Sequence, residues 1–137
     1  MIDTKDVIAM KVPYPSINSG MALLAHMYIC RDHHENSYEF VKCQTLKPYM
    51  LTHNPMRHVI DEIPDITRNP FRRLTRIDCD KIFSTFSVSY ADGMKTASRP
   101  DICDELYGSI EEQLVLDGYE NNEVNEEMLK QLNPLIN

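Results

Sequence analysis

Three side chains near the middle of the chain are of types that can act together on a phosphate group. They are His26, Thr45 and Lys47, in a sequence of 137 residues. A histidine suits proton transfer because its ordinary pKa lies near neutrality. A threonine hydroxyl can donate a hydrogen bond to a phosphate oxygen, and a lysine ammonium can bind the phosphate charge. These three are the candidate catalytic residues.

Each of these residues also has a purely structural explanation. His26 can be a hydrogen-bonded histidine of the core, Thr45 a β-former at a strand end, and Lys47 a solvated lysine. Residue type alone leaves both explanations open. Whether the three side chains meet at one surface depends on the elements that carry them.

A dense basic cluster is the second candidate for chemistry. It consists of Arg68, Arg72, Arg73, Arg76 and Lys81. The cluster can form a phosphate-binding surface, and the ring of Phe71, Tyr49 or Tyr14 offers a stacking face for a base beside it. It can instead be neutralised by ion pairs with Asp78, Asp80 and the acidic C-terminal helices. The sequence leaves both possibilities open.

The catalytic candidates lie on or just after a predicted β-hairpin over residues 22–45. The stretch begins with a nearly unbroken apolar run, which contains His26. It ends in an alternating segment in which Val41, Cys43 and Thr45 share one face. The five polar residues 33–37 form a connection of hairpin length. We expect an antiparallel hairpin at the centre of a small β domain.

Further strands are predicted on both sides of the hairpin. Alternating apolar residues predict a first strand over residues 6–12. They also predict two strands, or one bent strand, within 71–90, with a break near Asp80. A long connection over 53–70 contains prolines that prevent a long helix.

The C-terminal part of the chain predicts helices. Apolar residues at helical spacing predict a main helix over residues 100–116, with Ser98 as its N-cap. A second, weaker helix is predicted over 123–132. We expect one domain, with residues 1–117 forming the β domain and its packed helix, and 118–137 an acidic helix or tail.

Charge is distributed unevenly between the two parts of the chain. Residues 1–100 carry 13 Lys and Arg against 11 Asp and Glu, whereas 101–137 carry one Lys against 10 Asp and Glu. The net charge of −7 argues against non-specific binding of nucleic acid. A basic patch within residues 1–100 can still form a nucleic-acid site. The acidic part is either a solvated surface or a segment that lies over the basic groove and mimics RNA or an antitoxin.

Several other classes of protein are disfavoured. The chain has no apolar stretch of about 18 residues, so we expect no membrane association. No basic-then-apolar pattern marks a signal peptide, which favours a cytoplasmic protein with reduced cysteines. No Cys pair has zinc spacing and nothing marks a Cys–His nucleophile, so we expect no metal and no cofactor.

Three short motifs within residues 5–116 are similar to those of a known family. One is Asp-Val-Ile at residues 6–8, leading to Pro-Tyr-Pro at 13–15. Another is Ser19-Gly20 followed by His-Met-Tyr-Ile-Cys, and the third is Arg-Ile-Asp-Cys-Asp-Lys-Ile at 76–82. They resemble the opening strand, the loop with the second strand, and the late strand of the MazF/PemK-type toxins of bacterial toxin–antitoxin systems.

The resemblance implies a fold and an activity. The expected fold is mainly β or α+β, a small SH3-like barrel with one or two C-terminal helices that forms a homodimer. The implied activity is metal-independent cleavage of single-stranded RNA, neutralised by a cognate antitoxin. Thr45 matches a family position at the end of the third strand, and Ser19 becomes an RNA-binding candidate beside Arg72, Arg73, Arg76 and Lys81. Ala25 stands where the family has a catalytic arginine.

Two functions therefore follow from the sequence. The first is a sequence-specific endoribonuclease, in which His26 moves a proton while cations stabilise the charge of the phosphorane. The second is a non-catalytic SH3-like barrel that binds a protein or a nucleic acid. The alanine at position 25 and the acidic balance of the chain favour the second.

Overall fold

A computed structural model describes residues 1–52 and 56–137. The strands are β1 (Val7–Met10), β2 (His26–His34), β3 (Ser37–Thr45), β4 (Val59–Glu62), β5 (Thr75–Asp78), β6 (Lys81–Thr85) and β7 (Glu120–Glu123). The helices are α1 (Gly20–Leu23), α2 (Asp104–Leu116) and α3 (Glu126–Leu132), with 3-10 helices at Pro48–Leu51 and Asp92–Met94. None of the described helices has both the length and the apolar character needed to cross a membrane.

The strands form one mainly antiparallel sheet, so the predicted α+β class is confirmed. The order of hydrogen-bonded strands is β1–β2–β3–β5–β4. β6 also pairs with β3, and β7 pairs with β6 in parallel. β3 is long enough to pair with two strands, with β6 through Tyr38–Phe40 and with β5 through Cys43–Thr45. The order is that of an open sheet, and the SH3-like barrel stays a prediction.

The predicted central hairpin is present, with different bounds. The start of the apolar run forms α1 instead of strand, because the Ser19 hydroxyl caps that helix by accepting a hydrogen bond from the Ala22 N–H at 3.3 Å. β2 therefore begins at His26. The polar connection is shorter than predicted, because Glu35 adopts a φ of 56° and closes a tight turn.

Other differences lie in the connections. The long connection was predicted over residues 53–70, of which 53–55 lie outside the described residues. The remaining part, 56–70, contains the strand β4, which was not predicted. The break predicted near Asp80 is present, since β5 ends at Asp78 and β6 begins at Lys81.

Two apolar clusters cover the faces of the sheet, as the alternation in β3 predicts. Tyr38 and Phe40 lie in one cluster, whereas Val41 and Cys43 lie in the other. α2 packs on the second cluster through three fully buried residues. These are Leu106, Ile110 and Leu114. Burial of each such side chain stabilises the fold by about 1.5–3 kcal/mol.

α2 starts later than the sequence predicts. Its N-cap is Cys103, whose sulfur accepts a hydrogen bond from the Leu106 N–H at 3.4 Å. Ser98 is not the N-cap, because the residues that follow it, Pro100 and Asp101, pair with the edge of the sheet at β1. There the Val7 N–H donates to the Pro100 carbonyl at 2.8 Å. This contact protects the β1 edge from other strands.

Residues 118–137 are part of the folded core. Their first element is the unpredicted strand β7, which forms because pairing with β6 outweighs the low strand propensity of Glu-Asn-Asn-Glu. The helix predicted over 123–132 is present as α3, and it begins later, at Glu126. α3 and the chain end follow, and they bury Leu129 and Ile136 in the same cluster as Tyr38.

Candidate functional site

A pocket opens where β2 begins and β3 ends. Its volume is about 240 Å³, and its lining includes Ala25, His26, Gln44, Thr45, Arg72 and Arg73. We call it the His26 pocket. The antiparallel register pairs Met27 with Cys43, which brings the start of β2 beside the end of β3. The fold thus unites His26, Thr45, Arg72 and Arg73, which are far apart in the sequence.

The ring of His26 is oriented by its own backbone neighbourhood. Its Nδ1 lies 3.1 Å from the Leu24 carbonyl oxygen. Because a carbonyl only accepts, Nδ1 carries the hydrogen and Nε2 of the neutral ring keeps its lone pair. Nε2 makes no hydrogen bond to any residue that the structure describes.

The environment of His26 favours the neutral ring. Burial lowers the pKa of His26, and the nearby positive charges of Lys42 and Lys47 lower it further, while the hydrogen bond to Leu24 opposes them. A neutral imidazole with an open Nε2 is suited to accept a proton from a bound hydroxyl group. His26 thus has the protonation state that a general base requires.

Thr45 lies at the pocket with its hydroxyl group available. It is exposed at the end of β3, opposite Thr75 on β5. In residues 1–52 and 56–137, no hydrogen bond engages its side chain. A free hydroxyl here can donate to an anion held in the pocket.

Arg72 and Arg73 supply positive charge at the pocket. Both side chains are exposed, and neither guanidinium forms an ion pair with a described residue. The Thr75 hydroxyl donates to the Arg73 carbonyl at 2.9 Å, which holds the turn that presents both arginines. No carboxylate occurs in the described lining of the pocket, so its electrostatic character favours an anion.

Lys47 lies near the pocket without lining it. Its side chain is exposed, and its backbone N–H donates to the sulfur of Met50 at 3.3 Å at the start of the 3-10 helix Pro48–Leu51. Its charge is close enough to contribute to the lowered pKa of His26. Lys47 therefore adds to the local positive charge from outside the pocket.

Lys42 is a residue of the site that the sequence interpretation missed. It is half-buried in the middle of β3, and its ammonium donates to the Gln44 amide oxygen at 2.9 Å. Burial lowers the pKa of Lys42. The alternation of residues 38–45 places Lys42 on the same face as Tyr38 and Phe40, but it does not mark this lysine as functional.

A second depression shares His26 with the first. It has a volume of about 290 Å³, and Tyr14, Met21, Leu24 and Lys42 contribute to its mostly apolar walls. We call it the Tyr14 depression.

Ser19 also lines the Tyr14 depression, but its hydroxyl shapes the loop. The hydroxyl donates to the Tyr14 carbonyl at 2.6 Å and caps α1 as described above. Its contacts are therefore those of a loop-forming residue, and its predicted contact with RNA stays a prediction.

Arg76 and Lys81 lie away from the His26 pocket. The Arg76 side chain is 8% exposed and forms a two-point ion pair with Asp61, at 2.8 and 2.9 Å. Lys81 lines a separate depression with Asp80 and Asp117. The fold does not bring these two predicted RNA-binding residues to the others.

The basic cluster therefore divides into two kinds of residue. Arg68 forms ion pairs with Glu62, which was not predicted, and with Glu105 of α2, a partner of the kind that the ion-pair interpretation predicts. Arg72 and Arg73 remain open, and no residue of 101–137 lines the pocket that they border. The acidic C-terminal part thus contacts Arg68 and lies beside Lys81, but none of its residues lines the His26 pocket, and the hypothesis that it covers a basic groove stays a prediction.

Other chemistries find little support in the described part of the chain. Its His, Cys, Asp and Glu side chains form no group of three that could hold a metal ion. The four cysteines are free thiols. Burial raises the pKa of Cys30, Cys43 and Cys79, the last to about 12, which keeps these thiols protonated and unreactive.

The resemblance to MazF/PemK-type toxins stays a prediction that rests on the motifs within residues 5–116. Comparison with protein-family models, with curated proteins and with solved structures finds no match.

Proposed function

We propose that the His26 pocket binds single-stranded RNA and cleaves it without a metal ion, in the manner of MazF/PemK-type toxins. One observation carries the proposal. A histidine held neutral, with Nε2 open, lies in the same pocket as a free threonine hydroxyl and two arginines that have no described carboxylate partner. This combination supplies a base and an anion-binding surface at one place.

The proposed chemistry uses the 2′-hydroxyl group of the RNA. His26 Nε2 accepts its proton, and the 2′ oxygen attacks phosphorus as the bond to the 5′ oxygen breaks. The leaving 5′ oxygen takes a proton from water, and a 2′,3′-cyclic phosphate forms. Thr45 donates a hydrogen bond to a phosphate oxygen, and Arg72 and Arg73 attract the flanking phosphates.

The proposal extends to the fold type and the partners. An SH3-like barrel acting as a homodimer in the cytoplasm, with a cognate antitoxin, follows from the family resemblance. What supports it in the structure is a small, mainly antiparallel sheet in which β3 pairs with both β5 and β6.

A specific observation favours the alternative of a non-catalytic binding module. Ala25 lies at the His26 pocket, where its methyl group offers no hydrogen bond to a phosphate. Leu23 and Leu24 next to it are 62% and 68% exposed, which suits contact with a macromolecule. In this alternative the same surface binds its partner without cutting it.

Cleavage of a long RNA of mixed sequence, in EDTA, tests the proposal. We expect the wild-type protein to cut at defined short sites, and His26→Ala and Thr45→Ala to slow cleavage by about 10²- to 10⁴-fold. His34→Ala is the matched control, because His34 is exposed at the far end of β2. Failure of the folded wild-type protein to cut would contradict the nuclease, and binding without cutting would establish the alternative.

A further inference from the structure

The surroundings of Lys42 are unusual for a lysine. The β2–β3 register places it opposite Tyr28, whose side chain is fully buried. Its neighbours Val41 and Cys43 point into the cluster under α2, so Lys42 points to the opposite face of the sheet. A lysine in this position has lost part of its hydration shell.

Hydrogen bonds within the described residues leave the ammonium of Lys42 largely unsatisfied. An ammonium carries three N–H donors, and only the bond to Gln44, at 2.9 Å, uses one of them. The negative charge of the buried Asp78 favours the charged form of Lys42, and the positive charge of Lys81 disfavours it. No carboxylate of the described residues forms an ion pair with Lys42. A bound anion would offset the cost of this partly desolvated charge.

Lys42 also connects the two depressions. It lines the Tyr14 depression together with His26, and its bonding partner Gln44 lines the His26 pocket. Its charge contributes to the lowered pKa of His26, so the two side chains are close in space. An anion held by Lys42 therefore lies beside the candidate base.

We infer that Lys42 binds the reacting phosphodiester of the RNA, and that it takes the part that the family resemblance assigns to an arginine at position 25. The inference rests on the proposed function and names a residue that it did not include. Arg72 and Arg73 are exposed and attract the RNA broadly, whereas Lys42 is held in place by Gln44. A positioned cation stabilises the extra charge of the phosphorane without having to reorganise.

Affinity for an RNA that cannot be cut provides the first test. The probe is a single-stranded oligonucleotide of mixed sequence with 2′-O-methyl sugars, and fluorescence anisotropy measures its dissociation constant at several salt concentrations. We expect Lys42→Met to weaken binding about tenfold and to reduce the magnitude of the salt slope by about 1. Lys130→Met, at an exposed lysine of α3, should change neither quantity.

Rescue separates a role in phosphate binding from a role in folding. Lys42→Arg keeps the charge and should recover much of the affinity and the full salt slope, while Lys42→Met should reduce cleavage of ordinary RNA by about 10²-fold. Urea unfolding of each variant measures whether the fold is intact. Lys42→Gln, which keeps a polar side chain, replaces Lys42→Met if the latter fails to fold.

The outcomes distinguish this inference from the proposed function. If the wild-type protein binds and cuts RNA and Lys42→Met does both equally well, the inference is wrong and the proposed function stands. If the folded wild-type protein neither binds nor cuts RNA, both fall together. Loss of affinity and salt slope in Lys42→Met, with rescue by Lys42→Arg, supports Lys42 as the phosphate-binding residue.

Discussion

The guanidinium of Arg76 and the carboxylate of Asp61 form a two-point ion pair across neighbouring strands β5 and β4. Nε lies 2.8 Å from Oδ1, and Nη2 lies 2.9 Å from Oδ2. The third nitrogen, Nη1, donates to the Met50 carbonyl at 3.3 Å. All three guanidinium nitrogens of Arg76 are therefore engaged within the protein, which leaves little of it for RNA.

We predict that Asp61→Ala lowers the free energy of unfolding by about 2 kcal/mol, because it leaves a buried guanidinium without its counter-ion. Arg76 lowers the pKa of Asp61 below its usual value of 3.8. The stabilisation is therefore present above about pH 4 and is lost as the pH falls through the lowered pKa.

Urea unfolding at several pH values checks this prediction. Glu112→Ala, at an exposed residue of α2, is the control and should stay within about 0.5 kcal/mol of wild type. An equal loss of stability in Asp61→Ala at pH 7 and at pH 2 would show that the ion pair is not its cause.

The protonation of His26 can be measured directly. We predict that its pKa lies below the usual 6.5, because burial and the charge of Lys42 disfavour the imidazolium. Lys42→Met should raise the pKa of His26, since it removes one of the two lysine charges. NMR titration of the imidazole protons of His26 measures both values. A His26 pKa above 6.5 in the wild-type protein would contradict the neutral imidazole on which the proposed base depends.

The two open arginines predict a salt-dependent affinity. We expect the double variant Arg72→Gln and Arg73→Gln to bind a 2′-O-methyl RNA more weakly and to reduce the magnitude of the salt slope by about 2, since two phosphate contacts are lost. Arg57→Gln is the matched control, because Arg57 is 71% exposed and already paired with Asp117. An unchanged salt slope in the double variant would mean that RNA does not contact these arginines.

The C-terminal residues are predicted to stabilise the whole domain. Leu129→Ala should lower the free energy of unfolding by about 3 kcal/mol, because Leu129 is fully buried and its truncation leaves a cavity. Leu135→Ala is the control, since Leu135 is 51% exposed. Urea unfolding compares the two variants. A similar, small effect of both would indicate that residues 118–137 do not contribute to the core.

The sequence predicted part of the candidate site. Residue type singled out His26 and Thr45, the latter also through the family resemblance, and the clustering of basic residues singled out Arg72 and Arg73. The alternation of β3 correctly placed Lys42 on the opposite face from Val41, yet it gave no reason to treat that lysine as functional. Its significance comes from the depression beside it, which is formed by loop residues such as Tyr14 that lie far away in the sequence.

The sequence by itself determined the local elements, because alternation and helical spacing depend on which side chains can be buried together. The central hairpin, the break near Asp80 and the apolar stripe of α2 follow from such local patterns. Only the tertiary structure decided the pairings of β4, β7 and Arg76. These depend on hydrogen bonds and charges between distant residues, and their energy outweighs weak local propensity. The meeting of His26 and Arg72 at one pocket is likewise a result of sheet register.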